Sequence, residues 1–566
     1  MLEPSSEPAV FDAASRSPEA GWPARHPRLG GLLAAVLSAG LFALAFPTTE
    51  ASPLALVALV PLLWAMRTRT RWQRLRMGWL VGFLVELVLF RWIPFTMTEM
   101  TSIAGSLTLG MWALYALWHG LRLGLFARLA APVRRAAASR YPALSAIAVA
   151  LCYVTVEWAF PVIFPWALGH AVWELPGAGA VLALQGVPLL TFVVVLVNGA
   201  ATDAIVARSE ARRRSLVGAT AALAMCLVAA LLAAPEATDR TLRVAILQPN
   251  FTLAEKKHAD IAMRRQLLER LERQIRALPA HAYDLVVASE GAFPMWWRLD
   301  SAGHPGPARA DDGAESAAAN PLLDATHRIQ RAVAEGPAAH AIIGGLRRDD
   351  ARTRNSAVHI GPDGRILGHY DKQALVPFSE YAPLSEYLPF LRDIRGIGNL
   401  QPGDRPCAFA LDGLAVRDGA PSRPVRVTCG ICYESLFAEA TRRDAADADL
   451  LVNLTIDTWF GATTAPRMHL MTQASRAAEL GIPLVRSALT GISGWVDQRG
   501  RVADELPRDV PAVLSATVVL GSGRTAYRAV GQVFAPIAAG FVLLALADAW
   551  RRRRALSRRA PSEAPA

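Results

Sequence analysis

Charge is scarce in this 566-residue chain: Asp, Glu, Lys and Arg make up only 19%, against 53% hydrophobic residues. Soluble enzymes carry about 25% charge, so that class is disfavoured, and disorder and fibrous repeats are excluded. Cysteine is scarcer still. The five residues Cys152, Cys226, Cys407, Cys429 and Cys432 are too few and too irregularly spaced for a disulfide framework. Cys429 and Cys432 form a Cys-x-x-Cys pair, but zinc needs about four ligands. No second Cys or His pair is placed to complete a set, so neither a metal nor another cofactor is expected. Acidic residues lag behind basic ones, 48 against 59, for a net charge of +11. Such a balance can signal nucleic-acid binding. Here the arginines sit in short loops between apolar runs, which is a membrane pattern, so no nucleic-acid partner is expected.

The apolar excess crowds into the first 235 residues and the last 40. A spanning helix needs about 20 mainly apolar residues. Eight candidates fit: Gly30–Phe46, a short Ser52–Met66, Met77–Phe95, Ile103–Phe126, Pro142–Phe164, Gly179–Ala200, Leu216–Ala234 and Val530–Trp550. Five arginines lie in Arg67–Arg76, four in Arg128–Arg140, four in Ala201–Ser215 and six after Trp550, with Arg16, Arg25 and Arg28 ahead of the first run. The intervening loops Pro47–Ala51, Thr96–Ser102 and Pro165–Ala178 have no Lys or Arg. This alternation places both termini in the cytoplasm and the long block between runs seven and eight on the far side, the periplasm of a bacterium. The expected organisation is a cytoplasmic lead-in over 1–29, seven spans over 30–234, a far-side domain over 235–528, an eighth span over 529–550 and a basic cytoplasmic tail over 551–566. Glu86, Glu157 and His119 fall inside spans. Ionisable residues there are functional candidates, unless they sit at helix ends or pair inside the bundle.

The far-side block alternates strand-like and helix-like runs, which predicts layered α/β architecture. Strands are expected at Thr241–Gln248, Tyr283–Ser289, His340–Leu346, Asn355–Gly361, Val425–Ile431, Leu450–Thr455 and Val513–Leu520. Helices are expected at Leu253–Leu278, Pro321–Glu335 and Ala465–Leu480. Asp300–Ser316, rich in Gly, Ala, Asp and Pro, reads as a surface insertion.

Three strand ends carry chemistry. Glu290 follows the apolar Leu285-Val286-Val287-Ala288-Ser289 and precedes Gly291; Lys372 closes a hairpin-like strand; Cys432 ends Val427–Ile431. Singly, these read as a solvated loop acid, a surface charge and a buried inert thiol. Together they make a covalent-catalysis set. A thiol is mostly protonated at neutral pH and needs a base and a positive neighbour in order to attack. Glu290 suits the base, and Lys372 suits stabilisation of thiolate and oxyanion.

This combined pattern resembles the nitrilase (carbon–nitrogen hydrolase) superfamily and its Glu-Lys-Cys triad. With the membrane frame it resembles, more narrowly, the apolipoprotein N-acyltransferase family. The residues that carry the resemblance are Tyr370-Asp371-Lys372, Leu375–Tyr381, Ile431-Cys432-Tyr433-Glu434, Asp457–Gly461, Ala478–Ser487 and Gly491-Ile492-Ser493. The resemblance implies eight spans and an αββα sandwich inserted before the last of them. It makes Glu290 the base, Lys372 the oxyanion stabiliser and Cys432 the nucleophile, with Glu380, Tyr433 and Glu434 in support. The implied reaction moves an acyl chain from a phospholipid of phosphatidylethanolamine type through a Cys432 thioester. The receiver is the α-amine of a diacylglyceryl-cysteine lipoprotein, and both partners stay in the bilayer. Phe378–Leu388, with Tyr381 and Tyr387, is a candidate lid against water.

The chain departs from the family pattern at several places. Ala288 and Ser289 precede the acid where Trp-Pro is usual, Lys257 stands where a Trp is usual, Ile456 replaces an Asn, and Leu489-Thr490 replace Asn-Asn. Two other readings share the triad: a membrane-anchored amide hydrolase with water as acceptor, and a divergent acyltransferase with a different acceptor. Eight spans favour transfer between lipids, since a hydrolase of soluble amides needs one anchor. A non-enzymatic scaffold has no need to keep all three residue types.

Overall fold

The structure, a computed structural model, describes residues 27–46, 49–101, 103–207, 209–232, 234–257, 259–299, 321–349, 352–383, 385–387, 389, 398–414 and 423–559. The expected insertion Asp300–Ser316 lies outside them, as do most of the lead-in and the end of the tail. The described chain divides into two compact units.

The first unit takes residues 1–91, 109–232 and 532–566. Its helices are α1 (Pro27–Ala45), α2 (Val60–Ala65), α3 (Arg71–Leu89), α5 (Gly105–Ala138), α6 (Ser145–Ala159), α7 (Ala178–Val206), α8 (Ser209–Leu232) and α15 (Phe534–Arg559), while α4 (Trp92–Met100) belongs to the second unit. Against the eight spans expected, five stretches among the described residues are long and apolar enough to cross a membrane, or six if α3 and the helix that follows it are taken as one broken span. The run expected as one helix over Met77–Phe95 stops at Leu89, and its last residues start α4. Helices α3 and α5 meet backbone to backbone: a Cβ on Gly82 would lie 2.3 Å from the Gly120 carbonyl oxygen. Apolar helices in lipid gain little from burial, so close approach through small residues supplies the packing. The intramembrane acids are paired within this unit. Glu86 lies 3.5 Å from Arg122. Glu157 accepts from Thr191 Oγ1 and from the Leu168 amide, both at 2.9 Å. That is the pairing alternative.

The second unit takes residues 92–108 and 233–531. It is built on two six-stranded sheets. One runs β12-β1-β2-β3-β4-β5, from β1 (Ala237–Gln248), β2 (Leu285–Trp297), β3 (His340–Asp349), β4 (Arg352–Ile360), β5 (Ile366–Asp371) and β12 (Ala512–Gly521). The other runs β11-β10-β9-β8-β7-β6, from β6 (Phe409–Leu411), β7 (Val425–Ile431), β8 (Leu450–Thr455), β9 (Leu484–Ala488), β10 (Gly494–Val496) and β11 (Val502–Glu505). Alternation along each strand sorts the core. Val244 and Ile246 of β1 join Val427, Ile431 and Val485 between the sheets. Ala245 and Leu247 point the other way, into the core under α10 (Ile261–Arg276) and α11 (Pro321–Glu335), with Leu267, Leu271, Ile329 and Val333. On the second sheet α13 (Ala465–Leu480), which in chain order lies between the short α12 (Ala438–Asp444) and α14 (Ala526–Val530), is buried along its whole length. This is a nitrilase-like α/β architecture.

Two expected elements change. The helix expected over Leu253–Leu278 splits into α9 (Leu253–Lys257) and α10, because Asp260 caps a fresh start by accepting from the Met263 amide. The strand expected to stop at Ser289 runs on through Glu290 to Trp297, with its register broken between Ala288 and Phe293, where Gly291 takes φ +65°.

Candidate active site

Each site residue is placed by the end or irregularity of a strand. Glu290 sits at the β2 bulge rather than in a loop after the strand, as the sequence suggested. A Cβ on Gly344 of the neighbouring β3 would come 2.7 Å from the Glu290 Cα, so that glycine lets the acid strand lie close. Lys372 is the first residue after β5, and its amide donates to the Asn355 carbonyl of β4 at 2.8 Å. Cys432 follows β7 and opens the 3-10 turn Cys432–Leu436. Its φ of +51° is left-handed, a strained setting for a residue with a Cβ and one that clusters at functional sites.

The structure brings the six expected residues together. The Lys372 ammonium is buried 2.9 Å from Glu380 and 3.6 Å from Glu290. Asn355, which in the sequence marks only the start of a strand, joins these two acids: its Nδ2 donates to Glu290 Oε1 at 2.6 Å and to Glu380 Oε1 at 2.9 Å. Glu380 is also fixed by the Val376 amide at 2.8 Å. Glu434 lies behind the nucleophile and works on the backbone. It accepts from the amides of Ile431 (2.7 Å), Gln373 (2.6 Å) and Ala374 (3.1 Å) and from the Tyr370 hydroxyl (2.8 Å). It therefore ties the nucleophile turn to the segment after Lys372. Tyr433 is buried, edge-on to Phe437 at 5.0 Å.

The electrostatics follow from this packing. Burial works against the Lys372 charge, but Glu290, Glu380 and Cys432 outweigh it and hold its pKa above the ordinary lysine range. The group is a fixed cation. Burial pushes the Cys432 thiol up from 9 to about 12; Glu290 adds to the rise, and Lys372 and Thr455 oppose it. The resting thiol is protonated, so attack requires a base at the moment of reaction. No cluster of three or more His, Cys, Asp or Glu that could hold a metal occurs among the described residues. Of the lid candidate, Phe378 and Tyr387 are exposed and Ser385–Tyr387 is a turn, while residues 384 and 388 lie outside the described chain. A cavity of about 720 Å³ runs along the same loop, lined by Gln373, Leu375, Tyr381, Glu386 and Asn399 among others.

A second constellation sits under the nucleophile, and of it the sequence singled out only the Asp457 and Arg486 motifs. Arg486, fully buried, donates to both Asp457 oxygens at 3.0 and 2.9 Å. His469 of α13 lies 3.4 Å from Asp457 and 3.2 Å from the Cys432 carbonyl oxygen. Helix α4 packs beside this group, with Trp92 edge-on to Phe460 at 4.9 Å and Thr96 donating to the Trp459 carbonyl at 2.8 Å. His469 is invisible to single-sequence reasoning, because a histidine in a buried helix has no local signature.

The chain is similar to known proteins over both units. Residues 243–528 match the carbon-nitrogen hydrolase family model, and residues 38–200 match the apolipoprotein N-acyltransferase N-terminal domain. An apolipoprotein N-acyltransferase of Gloeobacter violaceus is 32% identical over 92% of this chain and 94% of its own. That of Azotobacter vinelandii is 31% identical over 96% and 98%, and that of Geobacter metallireducens 29% identical over 92% and 95%.

Proposed function

The chain belongs to the apolipoprotein N-acyltransferase family, and from that premise we propose how its residues divide the work of acyl transfer. The enzyme is an acyltransferase acting on lipoproteins. In the first half-reaction Glu290 takes the Cys432 proton as the sulfur attacks the ester carbonyl of a phospholipid of phosphatidylethanolamine type. The C–S bond forms, the ester C–O bond breaks, and the leaving lysophospholipid oxygen receives the proton from Glu290. Lys372, kept charged by its two acids, faces the developing oxyanion. In the second half-reaction the α-amine of a diacylglyceryl-cysteine attacks the thioester. A C–N bond forms, the C–S bond breaks, and the amine proton returns to sulfur through Glu290. Glu380 and Asn355 hold Lys372 and Glu290 in register; Glu434 and Tyr433 shape the turn that carries the sulfur.

The observation that carries this reading is the buried Lys372 flanked by Glu290 and Glu380 at 3.6 and 2.9 Å, beside a half-buried cysteine in a left-handed turn. The departures at Ala288, Ser289, Lys257, Ile456, Leu489 and Thr490 leave these contacts in place; Ala288, Ile456 and Leu489 lie in the buried core. The loop charges support an inner-membrane protein with both termini cytoplasmic and the catalytic unit periplasmic. The test is reconstitution with phosphatidylethanolamine and a diacylglyceryl lipopeptide. Wild type is expected to yield N-acylated lipopeptide and lysophospholipid in equal amounts, and Cys432→Ala neither. Fatty acid released without N-acyl product would overturn the assignment.

A further inference from the structure

The left-handed backbone at Cys432 must be held by something. Its carbonyl oxygen is gripped from two sides: Ser435 Oγ donates at 2.9 Å, and His469 Nε2 lies at 3.2 Å. His469 is buried. Its Nδ1 is 3.4 Å from Asp457 Oδ1 and 3.4 Å from Arg486 Nη2. Asp457 is itself immobilised by Arg486 and, at 3.3 Å, by the Ile492 amide. Gln473 Nε2 is 2.9 Å from the same His469 Nε2, while Gln473 Oε1 accepts from Arg486 Nε at 2.6 Å. A carbonyl only accepts and an amide nitrogen only donates. The ring thus has two settings. With Nε2 protonated and Nδ1 accepting from Arg486 it holds the Cys432 carbonyl; with Nδ1 protonated and facing Asp457, the bare Nε2 accepts a hydrogen bond from Gln473 Nε2–H and releases that carbonyl.

We propose that His469 is a positioning residue for acyl transfer: with its Nδ1 accepting from Arg486, its Nε2–H holds the Cys432 carbonyl and so fixes the nucleophile. The peptide joining residues 432 and 433 is planar, so anchoring its oxygen also fixes the residue 433 N–H and the Cys432 Cα from which the side chain projects. This rests on the acyl-transfer reading above.

The experiment uses the full-length protein in detergent with phosphatidylethanolamine, and follows acyl-Cys432 formation by intact mass against time. His469→Asn keeps an amide where Nδ1 stood, facing Asp457, but has no donor at the Nε2 position; its acylation rate is expected to fall about tenfold to a hundredfold. His469→Gln puts a permanent N–H near the Nε2 position and is expected to restore the rate to within about threefold of wild type. A wild-type rate in His469→Asn, or a His469→Gln rate as slow as His469→Asn, overturns the proposal. Should His469→Asn not fold, Gln473→Glu decides. It keeps the Arg486 partner and draws the Nε2 proton off the Cys432 carbonyl, so acylation should slow at least tenfold; an unchanged rate overturns the proposal. A wild-type protein that forms no adduct fails the acyl-transfer reading, and this proposal with it.

Discussion

Two residues test the local electrostatics. Asn355 donates hydrogen bonds to both Glu290 and Glu380, the two acids that flank Lys372. Removing a buried donor between two acids costs about 1–3 kcal/mol and leaves Lys372 to be shared unevenly. Asn355→Ala is expected to lower the rate of acyl-Cys432 formation at least tenfold while shifting the apparent affinity for lipopeptide little; unchanged acylation kinetics would remove Asn355 from the site. Asp457 tests the network below the sulfur. Burial alone would raise its pKa, but Arg486 and His469 outweigh burial and bring the carboxyl from the ordinary 3.8 down to about 2. A depressed carboxylate contributes stability that is full above about pH 4 and is lost as pH falls through about 2. The contribution is on the order of 2 kcal/mol. Denaturant unfolding of wild type should therefore lose about that much more stability between pH 4 and pH 2 than Asp457→Asn does. Parallel losses would show that the pair is not worth this.

At the scale of elements, the strand that leads to Cys432 is legible because its apolar run ends abruptly: Val425–Ile431, like its neighbour Leu450–Thr455, occurs in the structure with the expected bounds, whereas Ile366–Asp371 before Lys372 has no apolar run to mark it. The course of β2 beyond Ser289 was not legible. Glu-Gly after an apolar run looks like a turn, and only pairing with β3 keeps the chain extended through a bulge. The strand β9 (Leu484–Ala488) was hidden for a related reason. Its centre is Arg486, and an arginine is a plausible core residue only once Asp457 and Gln473 are known to meet it. Asn355 failed to register as a site residue because its partners are 65 and 25 positions away, and nothing local announces such a bridge. In the membrane unit, hydropathy marked the runs but not the break after Leu89. Where α3 and α5 touch, glycine is obligatory. Gly120→Val would drive its Cβ into the Phe83 amide, 2.4 Å away. It is expected to destabilise the unit by about 1–3 kcal/mol, read as a lowered melting temperature in detergent with the Cys432 alkylation rate of the surviving folded protein unchanged. A wild-type melting temperature would mean that the two helices separate freely.

For the whole molecule, the arginine distribution makes a claim about sidedness. An alkaline phosphatase reporter inserted at residue 305 is expected to be active, and one fused after residue 566 inactive, with the reverse for a cytoplasmic fluorescent reporter. The opposite pattern would put the sulfur on the wrong side of the bilayer for its acceptor. Acyl transfer, as proposed, passes through a thioester on Cys432 between the two lipids. Its most direct test is the intact mass of Cys432-containing peptide from protein purified out of membranes. A fatty acyl adduct is predicted on that residue, removed by hydroxylamine and discharged by a diacylglyceryl lipopeptide with gain of the same mass on the lipopeptide amine. An unmodified Cys432 in protein that still N-acylates the lipopeptide would contradict it.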